Sequence, residues 1–343
     1  MIPSTTVTKD DVSPSPSRVP RRLIGATIGL AVSLVALYLA LRGVDGAAVG
    51  RSLRATDPTP LMIAVAFAAS SGLVRALRWR ALFPENTAIP LRYYFTSMMI
   101  GYLGNNILPA RAGDVIRAVI FGKRTGAGIS TTAATLVVER VVDACTLLAI
   151  VGVVSFVVPL PTVLSGAARL ASLVCLIALA VLIAIAFRGG VPTREQGVHR
   201  NRVRDIVTRF VDGLHALRNG RSLIVVLAWT ATIWLIESAM VFFAMRASGL
   251  PLPPLAALFV LVVVSLGLLI PAGPASIGSY ELFVILALSA FAVEKTQALS
   301  AGIVLHTVAF VTATTIGLIC LWIESVSFRD LPARRADWMR EAQ

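Results

Sequence analysis

The stretch GYLGNNILPARAGDVIRAVIFGKR, residues 101–124, begins like a membrane helix and then breaks its own pattern. Two asparagines and a proline interrupt the apolar run, and Arg111, Asp114 and Arg117 follow before it ends. Proline ends a helix because it lacks a backbone N–H and its ring clashes with the preceding turn. The stretch therefore predicts a broken helix with polar residues at the break.

The composition of the whole chain sets the class of protein. Hydrophobic residues make up 57% of the 343 residues, charged residues only 14%, and the mean hydropathy is +0.82. A soluble domain has about 25% charged residues, and a membrane helix needs about 20 apolar residues. The chain is therefore predicted to be an all-α polytopic integral membrane protein.

The net charge of +13 comes from arginines in loops beside apolar runs. The positive-inside rule explains this pattern better than nucleic-acid binding does, and anionic lipid head groups are a second explanation. The three cysteines lie in apolar runs without metal-ligand spacing, so the sequence predicts no metal and no cofactor.

Residues 1–20 are predicted to be a disordered tail, and 21–325 to form the transmembrane domain. A first span at 23–41 places the N-terminus in the cytoplasm, and the tail 326–343 fits the same side. Two cytoplasmic termini need an even number of full spans, about eight. The further apolar segments are about 60–77, 93–108, 131–158, 162–187, 222–247, 254–271, 275–292 and 298–325. Of these, 93–108 is the best candidate for a re-entrant or incomplete segment.

An internal echo divides the domain into halves of about 60–187 and 222–325, joined by a basic cytoplasmic loop, 188–221. NNILPARAGDVIR (105–117) and LLIPAGPASIGSYELFV (268–284) each combine an apolar approach, Pro-Ala, glycine and a carboxylate. Paired interrupted segments in two halves, inverted in some transporters, indicate a transporter's binding site. The alternative is two unrelated loops with ordinary helix-capping residues.

Glu139, Arg140 and Asp143 lie within the apolar run 131–158. An ionised side chain at the bilayer centre costs at least about 2.5–3.5 kcal/mol on insertion scales. Glu139 and Asp143 are four residues apart and share one helix face. We therefore expect these residues to pair internally or to line a wet cavity. The alternative is a helix start at the interface, where acids are favourable.

Arg111, Asp114 and Arg117 lie where the first broken helix restarts, and the N-terminus of a helix favours anions. Arginine binds phosphate oxygens with a planar fork, so Arg111 and Arg117 are predicted to reach one phosphate. The alternative is that Asp114 and Arg117, three residues apart, pair with each other.

The second copy of the echo adds further candidates. Glycines such as Gly278 let the backbone approach a ligand closely. Glu281 is expected to partner Arg140 or Arg111 across the two halves. His306 is either a proton-linked group or a core histidine with its hydrogen bonds satisfied.

Three more charged residues lie in or beside apolar runs. Glu237 has no evident partner and counts as a functional candidate. Arg75 and Arg78 close the second apolar segment and are expected to extend to the interface.

The chain resembles the flippase-like transmembrane domain of lysylphosphatidylglycerol synthases over roughly residues 20–325. The motifs NNILPARAGDVIR, TLVVERVVDA and IPAGPASIGSYE carry the resemblance. Asp114 replaces the commoner glutamate, Ala275 and Ser276 stand where glycines are usual, and His306 stands where arginine is frequent. The matching positions are Asn105, Pro109, Arg111, Gly113, Glu139, Arg140, Asp143, Gly278 and Glu281.

The resemblance implies a lipid-translocating domain of a bacterial inner membrane, without the synthase part. The predicted function is movement of a polar or charged head group, of a phospholipid or glycolipid, between leaflets. The alternative is a membrane subunit that holds a lipid-linked substrate for a separate glycosyl- or aminoacyl-transferase. The chain is predicted not to be an enzyme, since it shows no nucleophile motif and no nucleotide motif. The predicted substrate-binding residues are Asn105, Arg111, Asp114, Arg117, Glu139, Arg140, Asp143, Gly278, Glu281 and His306.

Overall fold

A computed structural model of the chain describes residues 21–83, 89–108, 112–154, 173, 220–270 and 272–324. The regular secondary structure of these residues is helical, which agrees with the all-α prediction. The helices are α1 (Arg21–Leu41), α2 (Gly46–Arg54), α3 (Pro58–Ala81), α4 (Leu91–Ile107), α5 (Ala112–Thr125), α6 (Ile129–Val154), α7 (Gly220–Ala247), α8 (Pro254–Gly267), α9 (Ser279–Ser289) and α10 (Lys295–Ile323). Outside the described residues lie Arg111, both predicted tails, nearly all of the loop 188–221 and most of the segment 162–187.

Three of the described helices are long and apolar enough to cross a membrane: Pro58–Ala81, Ser222–Ala247 and Lys295–Ile323. Helices α1 and α2 pass the same test only as a pair, and they are bent by 87° at the break between them. By length and composition the described part of the chain therefore contains three spans, or four with the bent pair. The predicted count of about eight is not confirmed.

The described helices follow the same order of lengths twice. Helices α3 to α6 contain 24, 17, 14 and 26 residues, and a break separates α4 from α5. Helices α7 to α10 contain 28, 14, 11 and 29 residues, and a break separates α8 from α9. The division into two halves and their inversion both stay predictions.

The long helices α3, α7 and α10 hold the described part of the bundle together. Helix α3 lies along α7, and α10 packs against α4 and α3. An aromatic group fills the core between α3, α4 and α5, where the ring of Phe121 lies 4.6 Å from those of Trp79 and Tyr94. Helices in a membrane associate through close van der Waals packing of this kind, so this core fixes the position of the first broken pair of helices.

The first break lies where the sequence predicts it: α4 ends at Ile107 and α5 begins at Ala112. The two helices approach so closely that a Cβ added to Gly113 would lie 1.8 Å from the carbonyl oxygen of Gly101. The side chain of Asn105 caps the new helix, because its Oδ1 accepts a hydrogen bond of 2.9 Å from the backbone N–H of Gly113. The side chain of a polar residue near the end of α4 thus caps the N-terminus of α5.

The second break, between α8 and α9, is seated on α1. The Oγ of Ser33 accepts a hydrogen bond of 2.9 Å from the backbone N–H of Gly273. Gly278 has a φ of +84°, and a Cβ there would lie 2.6 Å from the carbonyl oxygen of Ser33. Only glycine meets both demands without strain. Ala275 and Ser276 have left-handed φ angles of 55° and 57°, so this loop keeps a glycine-like backbone where the family pattern has glycines.

Candidate functional site

A cavity of about 410 Å³ lies where α3, α4, α6, α7, α9 and α10 meet the second break. Both proposed halves supply its wall. Its size falls within the range of about 300–1,000 Å³ that is typical of ligand sites. The polar residues that line it are Ser71, Arg75, Tyr102, Asn105, Asn106, Arg140, Glu237, Ser276, Tyr280, His306 and Thr312.

A chain of alternating charges runs from this cavity into the core, and we call it the charge ladder. Its members, in spatial order, are Glu237, Arg75, Asp143, Arg78, Glu139 and Arg117. The ladder joins α7 to α3, α6 and α5. Because each charge in the ladder lies beside an opposite charge, the free-energy cost of burying these ionised groups among apolar helices is reduced.

The cavity end of the ladder lies between α3 and α7. Arg75 donates from Nη2 and Nε to Oε1 of Glu237 at 2.5 and 3.0 Å, and the Oγ of Ser71 donates to the same oxygen at 2.9 Å. The Nη1 of Arg75 lies 4.0 Å from Asp143. The side chains of Arg75 and Glu237 are about a fifth exposed, so both reach the cavity.

The other end of the ladder is fully enclosed. Arg117 is 1% exposed and donates to both carboxylate oxygens of Glu139, at 3.3 and 2.9 Å. Its guanidinium lies 3.7 Å from the ring centre of Trp79, a cation–π contact. Arg78, fully buried, lies 3.4 Å from Glu139 and donates to both oxygens of Asp143. This end of the ladder therefore braces the wall and does not line the cavity.

Two predictions about these charges are wrong. Arg75 and Arg78 do not extend to the interface, because they pair with acids inside the bundle. Glu237 does have a partner, since Arg75 and Ser71 both donate to it. Sequence spacing gave no sign of this pairing, because the two chain segments are 162 residues apart.

A second ion pair stands on the cavity wall beside the first break. The Nη2 of Arg140 donates to both oxygens of Asp114 at 2.8 Å, and Asn105 lies 3.4 Å from the same carboxylate. The alternative pairing of Asp114 with Arg117 is wrong, because Arg117 pairs with Glu139. With 44% of its side chain exposed, Arg140 is the most accessible arginine of the wall.

Helices α9 and α10 contribute a carboxylate–imidazole pair. Oε1 of Glu281 lies 2.6 Å from Nδ1 of His306, and Oε2 accepts a 2.7 Å hydrogen bond from the backbone N–H of Gly278. The imidazole stacks on the ring of Tyr280 at 4.5 Å. The expected partnership of Glu281 with Arg140 is therefore wrong, and the expected one with Arg111 concerns a residue outside the described part.

The structure thus sorts the predicted site residues by their position. Asn105, Arg140 and His306 line the cavity, and Asp114 and Glu281 hold the last two from behind. The remaining predicted residues lie within the ladder or the second break: Arg117, Glu139, Asp143 and Gly278.

Sequence reasoning missed several lining residues. It named Glu237 as a functional candidate but not its partner Arg75, and it did not foresee Tyr102, Asn106 and Tyr280, which add hydrogen-bonding groups to the wall. Arginine and glutamate in apolar runs gave a signal, but a lone tyrosine in such a run gives none.

The fold and this site define a class: an all-α membrane protein with a charged cavity between broken and long helices. The chain belongs to the family described as the lysylphosphatidylglycerol synthase TM region, which matches residues 26–317. This confirms the resemblance found in the motifs.

Two named proteins are similar to this chain in sequence. It is 26% identical over 330 residues to the protein named glycosyltransferase AglD from Haloferax volcanii, an alignment that covers 85% of this chain and 53% of AglD. It is 25% identical over 223 residues to the UPF0104 membrane protein MJ1078 from Methanocaldococcus jannaschii, with 64% of this chain and 93% of that protein covered. The chain spans about half the length of AglD.

Proposed function

We propose that this protein moves the polar head group of a phospholipid or glycolipid between the leaflets of a membrane. The observation that carries the proposal is the cavity, which has charged walls inside a bundle of membrane-spanning helices. Ionised side chains in such a place are expensive, and they mark substrate pathways. The site lies between two halves with recurring element order, which is where transporters of this architecture bind their substrates.

The wall charges suggest how a head group is held. Arg140 and Arg75 offer guanidinium groups to a phosphate, and each now donates to a carboxylate, Asp114 or Glu237. A phosphate entering the cavity competes with these carboxylates for the same donors. Loss of the Arg75–Glu237 contact would remove an ion pair between α3 and α7, so head-group binding would weaken one of the contacts between the two proposed halves.

Rocking of one half against the other would then expose the cavity to each leaflet in turn. The acyl chains stay in the surrounding lipid, since only the head group needs a polar path. The sequence contains no GxxxxGK[ST] phosphate loop, so the proposal includes no step of ATP hydrolysis.

The test is a head-group accessibility assay in proteoliposomes. Vesicles hold trace lipids labelled on the head group, and dithionite added outside destroys only the outward-facing label. We expect the protein to make the inner label accessible for at least one phospholipid or glycolipid. Failure with phosphatidylglycerol, phosphatidylethanolamine and a glycosyl diacylglycerol alike would overturn the proposal.

Two variants and a control connect the assay to the site. Glu237→Gln keeps the side-chain volume, and Arg140→Gln shortens the side chain but keeps it polar. Each removes one wall charge, so transport should fall about tenfold or more, the size of one charge-assisted hydrogen bond. Arg51→Gln is the control, since Arg51 is exposed on α2, outside the cavity. Equal transport by all three would remove the site assignment.

A second candidate function rests on the name of one relative. AglD is named a glycosyltransferase, which favours a membrane part that presents a lipid-linked substrate to a transferase. In that case the purified protein would bind a lipid-linked sugar without speeding the exposure of any labelled head group. Binding measured in nanodiscs beside the vesicle assay separates the two functions.

A further inference from the structure

His306 combines a fixed hydrogen bond with access to the cavity. Its Nδ1 lies 2.6 Å from Glu281, whose other oxygen is occupied by the backbone N–H of Gly278. A carboxylate that accepts from Nδ1 fixes the tautomer of a neutral imidazole, with the proton on Nδ1. Nε2 is then an acceptor, and no described residue forms a hydrogen bond to it. The imidazole lines the cavity.

Protonation reverses what this residue offers to a ligand. A neutral imidazole held in this way presents a lone pair at Nε2, whereas an imidazolium donates from both nitrogens. A phosphate has acceptors only, so it is repelled by the lone pair and held by the imidazolium N–H. Histidine changes charge between about pH 5 and 8.

The proton on His306 sets the net charge of the groups in and behind the cavity wall. Within the described residues, the ladder pairs three arginines with three carboxylates, and Arg140 pairs with Asp114. Glu281 has no arginine partner there, only His306. With a neutral imidazole these groups together carry one uncompensated negative charge, and with an imidazolium they carry none.

We propose that His306 is a proton-dependent ligand for the lipid phosphate, so that protonation of its imidazole strengthens the binding of an anionic head group in the cavity. This inference rests on the proposed function, and it names the substrate class as a phosphate-bearing lipid. It also gives the transport a means of coupling to protons, because the same site takes up a proton and a head group together.

The other titratable groups near His306 are accounted for helix by helix. The neighbouring helices that pack on α10 present Tyr280 and Glu281 (α9), Tyr102 (α4), Arg75 (α3) and Glu237 (α7), and α6 adds Arg140 to the wall. Helix α2 also packs on α10, but its arginines, Arg51 and Arg54, are exposed and do not line the cavity. Glu237 forms an ion pair with Arg75 and accepts a hydrogen bond from Ser71.

The test measures binding of a probe whose own charge stays constant. Dihexanoyl phosphatidylglycerol carries a phosphodiester that remains singly negative from pH 5 to 8, and a dihexanoyl glucosyl glycerol serves as the probe without phosphate. Binding to the full-length protein in nanodiscs is followed across this range. We expect the affinity for the phosphatidylglycerol to rise about tenfold as the pH falls, since one charge-assisted hydrogen bond is gained. The glucosyl probe should show no such rise.

Two substitutions make the assignment specific. His306→Arg carries a permanent donor charge, and its binding of phosphatidylglycerol should be tight at every pH. His306→Gln keeps a polar side chain without a titrating group, and its binding should be weak at every pH. If His306→Gln keeps the pH dependence, another group is responsible and the inference is overturned.

The unmodified protein gives a test that does not depend on how the variants fold. A flat pH profile of phosphatidylglycerol binding would overturn the role of His306 and leave the proposed transport standing. Absence of binding by every lipid, together with absence of transport in vesicles, would instead remove the proposed function itself.

Discussion

The two helix breaks are alike in sequence, but different physics holds each of them in place. The first is capped by Asn105 and fixed by ion pairs, of which Arg117–Glu139 is fully buried. The second is seated by small residues on α1, with Gly278 against Ser33, and by the pair of Glu281 with His306. The first break thus depends on permanent charges, and the second on close packing and a group that titrates.

This difference suggests that the two breaks have different roles in the cavity wall. Permanent buried ion pairs are costly to separate, so the first break is suited to stay fixed. A small-residue contact and one proton-dependent pair cost less to change, so the second break is suited to move. We therefore expect substitutions at the first break to affect stability most, and those at the second to affect transport most.

The largest expected effect is a difference in stability between variants of two carboxylates, Glu139 at the first break and Glu281 at the second. Glu139→Gln leaves two buried arginines, Arg117 and Arg78, without their full charge partner, and this should lower the free energy of unfolding by about 3–5 kcal/mol. Glu281→Gln is the matched change at the second break. It should cost only about 0.5–1.5 kcal/mol, because histidine can remain neutral. Unfolding of both variants in detergent is measured side by side, and an equal loss would contradict the comparison.

The sequence predicted the breaks better than it predicted their supports. Proline, glycine and a carboxylate near Asp114 and Glu281 mark where helices restart, because these residue types act locally. The ladder could not be foreseen in the same way. Arg75 and Arg78 close an apolar run, which is where arginines usually extend to the interface, and their acid partners come from distant segments. Tertiary packing of α3 against α6 and α7 decides these contacts.

Next in size is the close approach of α4 and α5. Gly113→Ala places a methyl group 1.8 Å from the backbone oxygen of Gly101, so the helices must separate, at a cost of about 1–3 kcal/mol. Gly50→Ala is the control, since a Cβ at Gly50 in α2 meets nothing within 4 Å. The midpoint of thermal unfolding should fall for the first variant only. If the Gly113→Ala variant is as stable as the unmodified protein, α4 and α5 lie far enough apart at Gly113 to accept a methyl group.

A smaller stability change is expected where α1 seats the second break. Ser33→Ala removes the acceptor for the N–H of Gly273 and should cost about 0.5–1.5 kcal/mol. Transport should fall more than stability suggests, because the same loop places Ser276 on the cavity wall. Ser289→Ala is the control, since its exposed hydroxyl bonds only to the preceding turn of its own helix. If Ser33→Ala exposes the labelled lipid as fast as the unmodified protein does, the contact of α1 with the second break is not needed for transport.

The smallest expected effect tests the backbone of the second break alone. Ala275 has a φ of 55°, a left-handed conformation that costs an L-residue about 1–2 kcal/mol, whereas glycine adopts it freely and adds some entropy to the unfolded chain. Ala275→Gly should therefore raise the free energy of unfolding by about 0.5 kcal/mol. The same change at Ala231, exposed in α7, should lower it by about 0.5–1 kcal/mol. Opposite signs for one substitution would show that left-handed strain is a property of this loop. If both variants lose stability, the loop is not strained, and its readiness to move must come from the Glu281–His306 pair.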